Sequence, residues 1–212
     1  MSIEKEVAKQ LMQIKAIKLN PQNPFTWASG RKSPIYCDNR LLLSYPNVRK
    51  YIKQSLVEES KDYQFNMIAG VATAGIPHGS LLADALDMPF VYVRSKAKAH
   101  GRQNMIEGEL RGNERVLIIE DLISTGGSCL QAVDALETTG CRIEGVMAIF
   151  TYGFAEAERR FAEADCKFST LSNYDVLLEE ALACDYINSD DIQRLKDWRK
   201  DPVAWSEQFV NS

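Results

Sequence analysis

The chain has no excess of positive charge, no closely spaced cysteine pair, only two histidines and no long apolar run. A net charge of −4 over 212 residues gives no footprint for nucleic acid, so no nucleic-acid partner is expected. The five cysteines (Cys37, Cys129, Cys141, Cys166, Cys184) are odd in number, scattered and without a CxxC pair. That pattern argues for reduced thiols rather than a disulfide framework or a structural zinc site. No apolar stretch approaches the roughly 18 residues needed to span a bilayer. The N-terminal stretch MSIEKEVAKQLMQIKAIKLN is charged throughout and shows no signal-peptide core, so a cytoplasmic location is expected. Neither GxxxxGK[ST] nor GxGxxG occurs, which counts against nucleoside-triphosphate and dinucleotide sites. There is no internal repeat and no low-complexity linker.

What remains is an ordinary globular composition, 45% hydrophobic and 25% charged, sufficient for a sizeable core. The length suits one domain over residues 1–212. Ile3, Val7, Leu11, Ile14 and Ile17 fall at helical spacing and predict a helix over residues 3–19, stopped by Pro21 and Pro24. Residues 25–40, FTWASGRKSPIYCDNR, read as short extended pieces around a turn at Ser29-Gly30. Residues 46–61 read as a helix opening on Pro46. From residue 65 onward short apolar runs alternate with helical patterns: strands near 65–71, 90–93, 115–119, 143–150 and 167–171, helices near 76–86, 129–138 and 156–164. This alternation predicts an α/β fold, a mainly parallel sheet of about five strands flanked by helices. Residues 173–212 read as helical, with Ser189 or Asp190 capping a helix over 191–199 and Trp198 and Trp205 packing inward. One segment, RSKAKAHGRQNMIEGELRGNE, is too long and too polar for a simple connection, and loops of that kind are functional or disordered.

The most informative stretch is Val116–Ser128, VLIIEDLISTGGS. An apolar strand delivers Glu120 and Asp121 to the edge of the sheet. A small-residue loop then leads into a helix. Backbone N–H groups at that helix start, with Gly126 and Gly127 permitting close approach, make an anion site, and Ser124, Thr125 and Ser128 add hydroxyls. The carboxylates ask for hydroxyls or a cation instead. A ligand with a phosphate at one end of a polyol satisfies both, and a phosphorylated ribose is such a ligand.

This stretch resembles the phosphoribosyl-pyrophosphate motif of the type I phosphoribosyltransferases. FTWASGRKSPIYCDNR is similar to the N-terminal segment of the orotate phosphoribosyltransferases, GVATAGIPHG to their pyrophosphate loop, and VYVRSKAKAHG to the start of their mobile catalytic loop. The resemblance implies the type I fold with a small N-terminal hood over residues 1–45, a core over 62–172 carrying a mobile loop at 94–111, and C-terminal helices over 173–212. It also implies Mg²⁺-dependent transfer of ribose 5-phosphate from phosphoribosyl pyrophosphate to orotate, in pyrimidine (UMP) biosynthesis. The metal would be held mainly through substrate. A homodimer with shared sites is implied as well.

Carried over residue by residue, the resemblance assigns Ser124 to Ser128 to the 5-phosphate, Leu122 and Ile123 to the same phosphoribosyl pyrophosphate site, and Glu120 and Asp121 to the ribose hydroxyls. Arg94, Lys98, His100, Ala74 and Gly75 fall to pyrophosphate, and Arg31, Tyr36 and Ser124 to orotate. Lys98, His100 and Asp121 are the implied catalytic residues. His78 and the charges of Lys96 and Arg102 are read as structural or solvated. Ala28, Ala74, Ser95 and Tyr152 stand where some family members carry cations. The rival readings are a phosphoribosyltransferase for another base, such as a purine, and a non-catalytic sensor of the sugar phosphate.

Overall fold

The computed structural model describes residues 2–27, 29–96 and 105–209. Helix α1 (Ile3–Gln13) starts at Ser2, whose hydroxyl accepts the Lys5 N–H, and buries Val7, Ala8, Leu11 and Met12. It ends sooner than its periodicity predicts. Lys15 takes a left-handed φ of 59°, and the chain leaves as strand β1 (Ile17–Leu19). Ile17 and Leu19 fit a period of two as well as one of 3.6. An antiparallel partner, β4 (Ile35–Cys37), resolves the ambiguity in favour of the strand. Between them, β2 (Phe25–Thr26) and β3 (Lys32–Ser33) form a small antiparallel hairpin around Ser29-Gly30, with Gly30 at φ 83°.

A 3₁₀ turn (Asn39–Ser44) leads into α2 (Pro46–Glu59). There follow β5 (Met67–Val71), α3 (Gly75–Leu86), β6 (Phe90–Val93), β7 (Ile106–Glu107), β8 (Arg115–Ile123), α4 (Gly127–Glu137), β9 (Arg142–Thr151), α5 (Ala155–Glu163) and β10 (Phe168–Asn173). Helices α6 (Tyr174–Ala183), α7 (Ser189–Lys200) and α8 (Pro202–Glu207) complete the order. The cap of α7 is Asn188, one residue earlier than read from sequence. Its side chain accepts the Asp191 N–H, and the Asp191 carboxylate accepts the Asn188 N–H. This reciprocal pair satisfies two end groups at once, which neither Ser189 nor Asp190 does.

The central sheet has six strands in the order β10-β9-β8-β5-β6-β7. Every neighbouring pair is parallel except β6 and β7. The sixth strand is the short β7, inside the polar segment that breaks the sequence rhythm. Its two residues pair with Tyr92 and Val93, too few to leave a periodic signal.

Alternation along β8 divides the core. Leu117 and Ile119 pack with α1, α2, α3, α6 and α7, and Val116 and Ile118 pack with α4 and α5. All four are fully buried, each contributing roughly 1.5–3 kcal/mol by burial. The turn into β8 is held by Glu114, whose carboxylate accepts the N–H groups of Arg111, Gly112 and Asn113 at 2.7, 2.9 and 3.1 Å. Desolvation pushes its pKa up, but these backbone bonds outweigh it and hold the group at about 2. All five cysteines are free thiols.

Candidate active site

After β5 the chain turns outward to β6, and then returns to the other side of β5 as β8. That reversal is a topological switch point, and ligands of open α/β sheets bind in the crevice at the carboxyl ends of the two strands beside it. Here those ends carry the Thr73–Gly75 loop, after β5, and the Glu120–Ile123 end of β8 with the Ser124–Ser128 turn into α4.

The first loop packs directly against β8. A Cβ on Gly75 would lie 2.4 Å from the Ile119 carbonyl oxygen, so only glycine lets α3 start this close to β8. The peptide between Ala72 and Thr73 is cis. Gly126 has φ 78°, and a Cβ there would meet the Phe161 ring at 2.8 Å. Its left-handed backbone turns the chain from loop into α4.

Strand alternation sends the two carboxylates to different surroundings. Glu120 continues the α4 face and is buried. Its Oε1 accepts the Asp121 N–H at 3.0 Å and its Oε2 accepts the Ser128 hydroxyl at 3.1 Å. Asp121 lies on the hood face, half-buried, and its carbonyl accepts from Asn39 Nδ2 at 2.8 Å. Burial raises the pKa of both acids, and the charge of Asp121 raises Glu120 further. Burial also pushes up the nearby Cys37 thiol, reinforced by the charges of Asp121 and Asp38. A desolvated acid pair of this kind suits a ligand bearing hydroxyls or a cation. Among the described residues no cluster of three His, Cys, Asp or Glu side chains could hold a metal.

The remaining residues singled out from sequence sort by place. Ser124, Thr125 and Leu122 are half-buried at the cleft edge and Ser128 is exposed. The Ile123 side chain is fully buried in the core, and its carbonyl accepts from the Thr151 hydroxyl at 3.0 Å. Ala74 is the N-cap of α3. Arg94 is half-buried and ion-paired to Glu107 at 3.6 Å, while its N–H donates to the Met105 carbonyl at 2.7 Å. The chain therefore enters and leaves the segment between Arg94 and Met105 at one point. Lys98, His100 and Arg102 lie outside the described residues.

Arg31 is exposed on the β2–β3 hairpin, and exposed Tyr36 lies 5.9 Å from Phe25, ring to ring. His78 is buried in α3, and desolvation lowers its pKa to about 4. It is a neutral core side chain, as read from sequence.

Three groups at this site were assigned no role from sequence. Asn39 is fully buried against the Asp121 carbonyl, and a lone Asn in a loop announces nothing. Tyr152 is the second. Its ring is stacked by Trp27 at 5.9 Å and met edge-on by Phe150 and Trp198, so an aromatic hub occupies this position. The third is Arg160, on α5 behind the small-residue loop.

A switch-point crevice lined by an adjacent acid pair and a glycine-bearing strand-to-helix loop fits a phosphoribosyl-transferring protein. The family model for the phosphoribosyl transferase domain matches residues 40–176, and the chain belongs to that family. Within it, the relatives are more specific. The orotate phosphoribosyltransferase of Listeria monocytogenes is 54% identical over 209 residues, covering 98% of this chain and 100% of the relative. That of Bacteroides thetaiotaomicron is 53% identical over 206 residues, covering 96% and 97%. The crystal structure of orotate phosphoribosyltransferase from Aeropyrum pernix superposes with a TM-score of 0.73 at 27% identity, over 82% of this chain and 97% of that one. The fold is the type I fold expected from sequence, with one strand more than the five counted there.

Proposed function

We propose that the chain catalyses transfer of ribose 5-phosphate from phosphoribosyl pyrophosphate to orotate, giving orotidine 5'-phosphate and pyrophosphate in pyrimidine biosynthesis. The observation that carries this reading is identity above half over nearly the whole length of enzymes with that name, N-terminal hood included. The reaction is a substitution at the anomeric carbon. A ring nitrogen of orotate forms the new bond and gives up its proton to the departing pyrophosphate, whose bond to the anomeric carbon breaks with the electron pair leaving on oxygen. The transition state has oxocarbenium character, so positioning and stabilisation of the leaving group dominate over covalent help.

The residues divide the work. The backbone N–H groups from Ser124 to Ser128 and the hydroxyls of Ser124 and Thr125 hold the 5-phosphate, next to Leu122 and Ile123. Asp121 takes the ribose hydroxyls from the hood side, and Glu120 joins it while orienting the Ser128 hydroxyl. The Ala74-Gly75 loop and Arg94 hold pyrophosphate, and Lys98 and His100 close over it and exclude water. Arg31, Tyr36 and Ser124 receive the base. Mg²⁺, which would be held mainly through substrate, would supply further charge neutralisation at the leaving group. The working unit is a cytoplasmic homodimer in which the loop bearing Lys98 serves the partner's site.

Two variants test these roles together. Asp121→Asn and Lys98→Ala are each expected to lower kcat by about 10²-fold or more. Mixed and re-associated, the two defective proteins are expected to regain activity, because half of the sites in a mixed dimer are intact. An unchanged kcat for Lys98→Ala contradicts the closing role. Two dead variants that show no recovery contradict the shared site.

A further inference from the structure

We propose that Arg160 is a positioning residue for the 5-phosphate, holding the Thr125 carbonyl outward so that the Gly126 N–H faces the bound anion. This rests on the phosphoribosyl reading of the loop and deepens it. Arg160 projects from α5 behind the loop, and its Nη1 donates to the Thr125 carbonyl at 3.4 Å. An ion pair with Glu156 at 3.7 Å, one helical turn away, steadies the guanidinium. Gly127 lies against the guanidinium: a Cβ there would stand 3.5 Å from Nη1, an ordinary contact. The next residue along α5, Phe161, closes against Gly126. The loop is therefore shaped from behind by two consecutive side chains of one helix.

The geometry has a direct consequence for the anion site. A trans peptide points its C=O and N–H in opposite directions. Drawing the Thr125 carbonyl toward α5 turns the Gly126 N–H to the opposite side, away from α5. Gly126 is left-handed and Gly127 begins the helix, an alternation that directs successive N–H groups into one concavity. Residues Ser124 to Ser128 contain no cation of their own. Arg160, about one-third exposed, also brings positive charge to the back of a site that must hold a phosphate dianion.

The test compares Arg160→Met, which removes donor and charge, with Arg160→Gln, which keeps an N–H donor. The readouts are Kd for ribose 5-phosphate, KM for each substrate, and kcat. Arg160→Met is expected to weaken ribose 5-phosphate and raise the KM for phosphoribosyl pyrophosphate about tenfold, with the orotate KM and kcat within about twofold. Arg160→Gln is expected to recover most of that loss. Unchanged ribose 5-phosphate affinity in Arg160→Met overturns the proposal, as does a Gln variant no better than Met. Binding of ribose 5-phosphate needs no base. The variant pattern seen without any orotate turnover upholds the positioning role and removes only the base assignment. A wild-type protein that does not bind ribose 5-phosphate overturns both.

Discussion

Glu120 and Asp121 are adjacent acids, and burial decides what each costs. Both are raised by desolvation, and Glu120 also by the charge of Asp121, so both resist ionisation in the free protein. The sign follows by linkage. An acid whose folded pKa exceeds its unfolded value binds more protons when folded. Its contribution is full below the unfolded value of 4.5 and is lost as pH rises toward the raised one. The free protein should therefore lose stability between pH 5 and neutrality, and Glu120→Gln should flatten that decline by more than ~1 kcal/mol. Denaturant midpoints for both proteins across that range check it, and parallel slopes contradict it. At this scale the pair itself was legible, because two acids after an apolar strand are costly without a partner. Their separation onto the α4 and hood faces follows from strand alternation. What the string did not show is the Ser128 hydroxyl claiming Glu120, which depends on how α4 starts.

At the scale of elements, the hood is held by the far end of the chain. The Lys32 N–H donates to the Ser206 hydroxyl at 2.8 Å, Gln22 donates to Asp191 at 2.9 Å, and Trp27 meets Trp198 edge-on at 6.0 Å. Helices α7 and α8 thus set the position of the hairpin bearing Arg31. Ser206→Ala is expected to cost that bond, about 1 kcal/mol, and to raise the orotate KM about fivefold with little change for phosphoribosyl pyrophosphate. Equal changes in both KM values, or none, contradict the clamp. Trp198 and Trp205 were legible as packing residues, but their partners were not. Contacts between residues 27 and 198 leave no periodic trace. The same holds for β1 and β7, strands of three and two residues defined by their partners rather than by pattern.

At the scale of the whole molecule, the order β10-β9-β8-β5-β6-β7 turns a string of motifs into one crevice. The switch between β5 and β8 brings together GVATAGIPHG and VLIIEDLISTGGS, separated by some forty residues of chain. Their pairing was legible only through family resemblance: VLIIEDLISTGGS reads by itself as acids beside an anion loop, whereas GVATAGIPHG reads equally well as a plain strand-to-helix turn. The net charge of −4 sets the cations of the site apart as local devices rather than a general attraction for anions. The central claim is the reaction and its base. The purified chain is mixed with Mg²⁺, phosphoribosyl pyrophosphate and either orotate or a purine base, and the absorbance of each base is followed. Loss of orotate absorbance with stoichiometric pyrophosphate release, and no change with purines, is the result expected. Turnover of a purine with orotate untouched, or sugar-phosphate binding with no turnover of any base, would contradict the account.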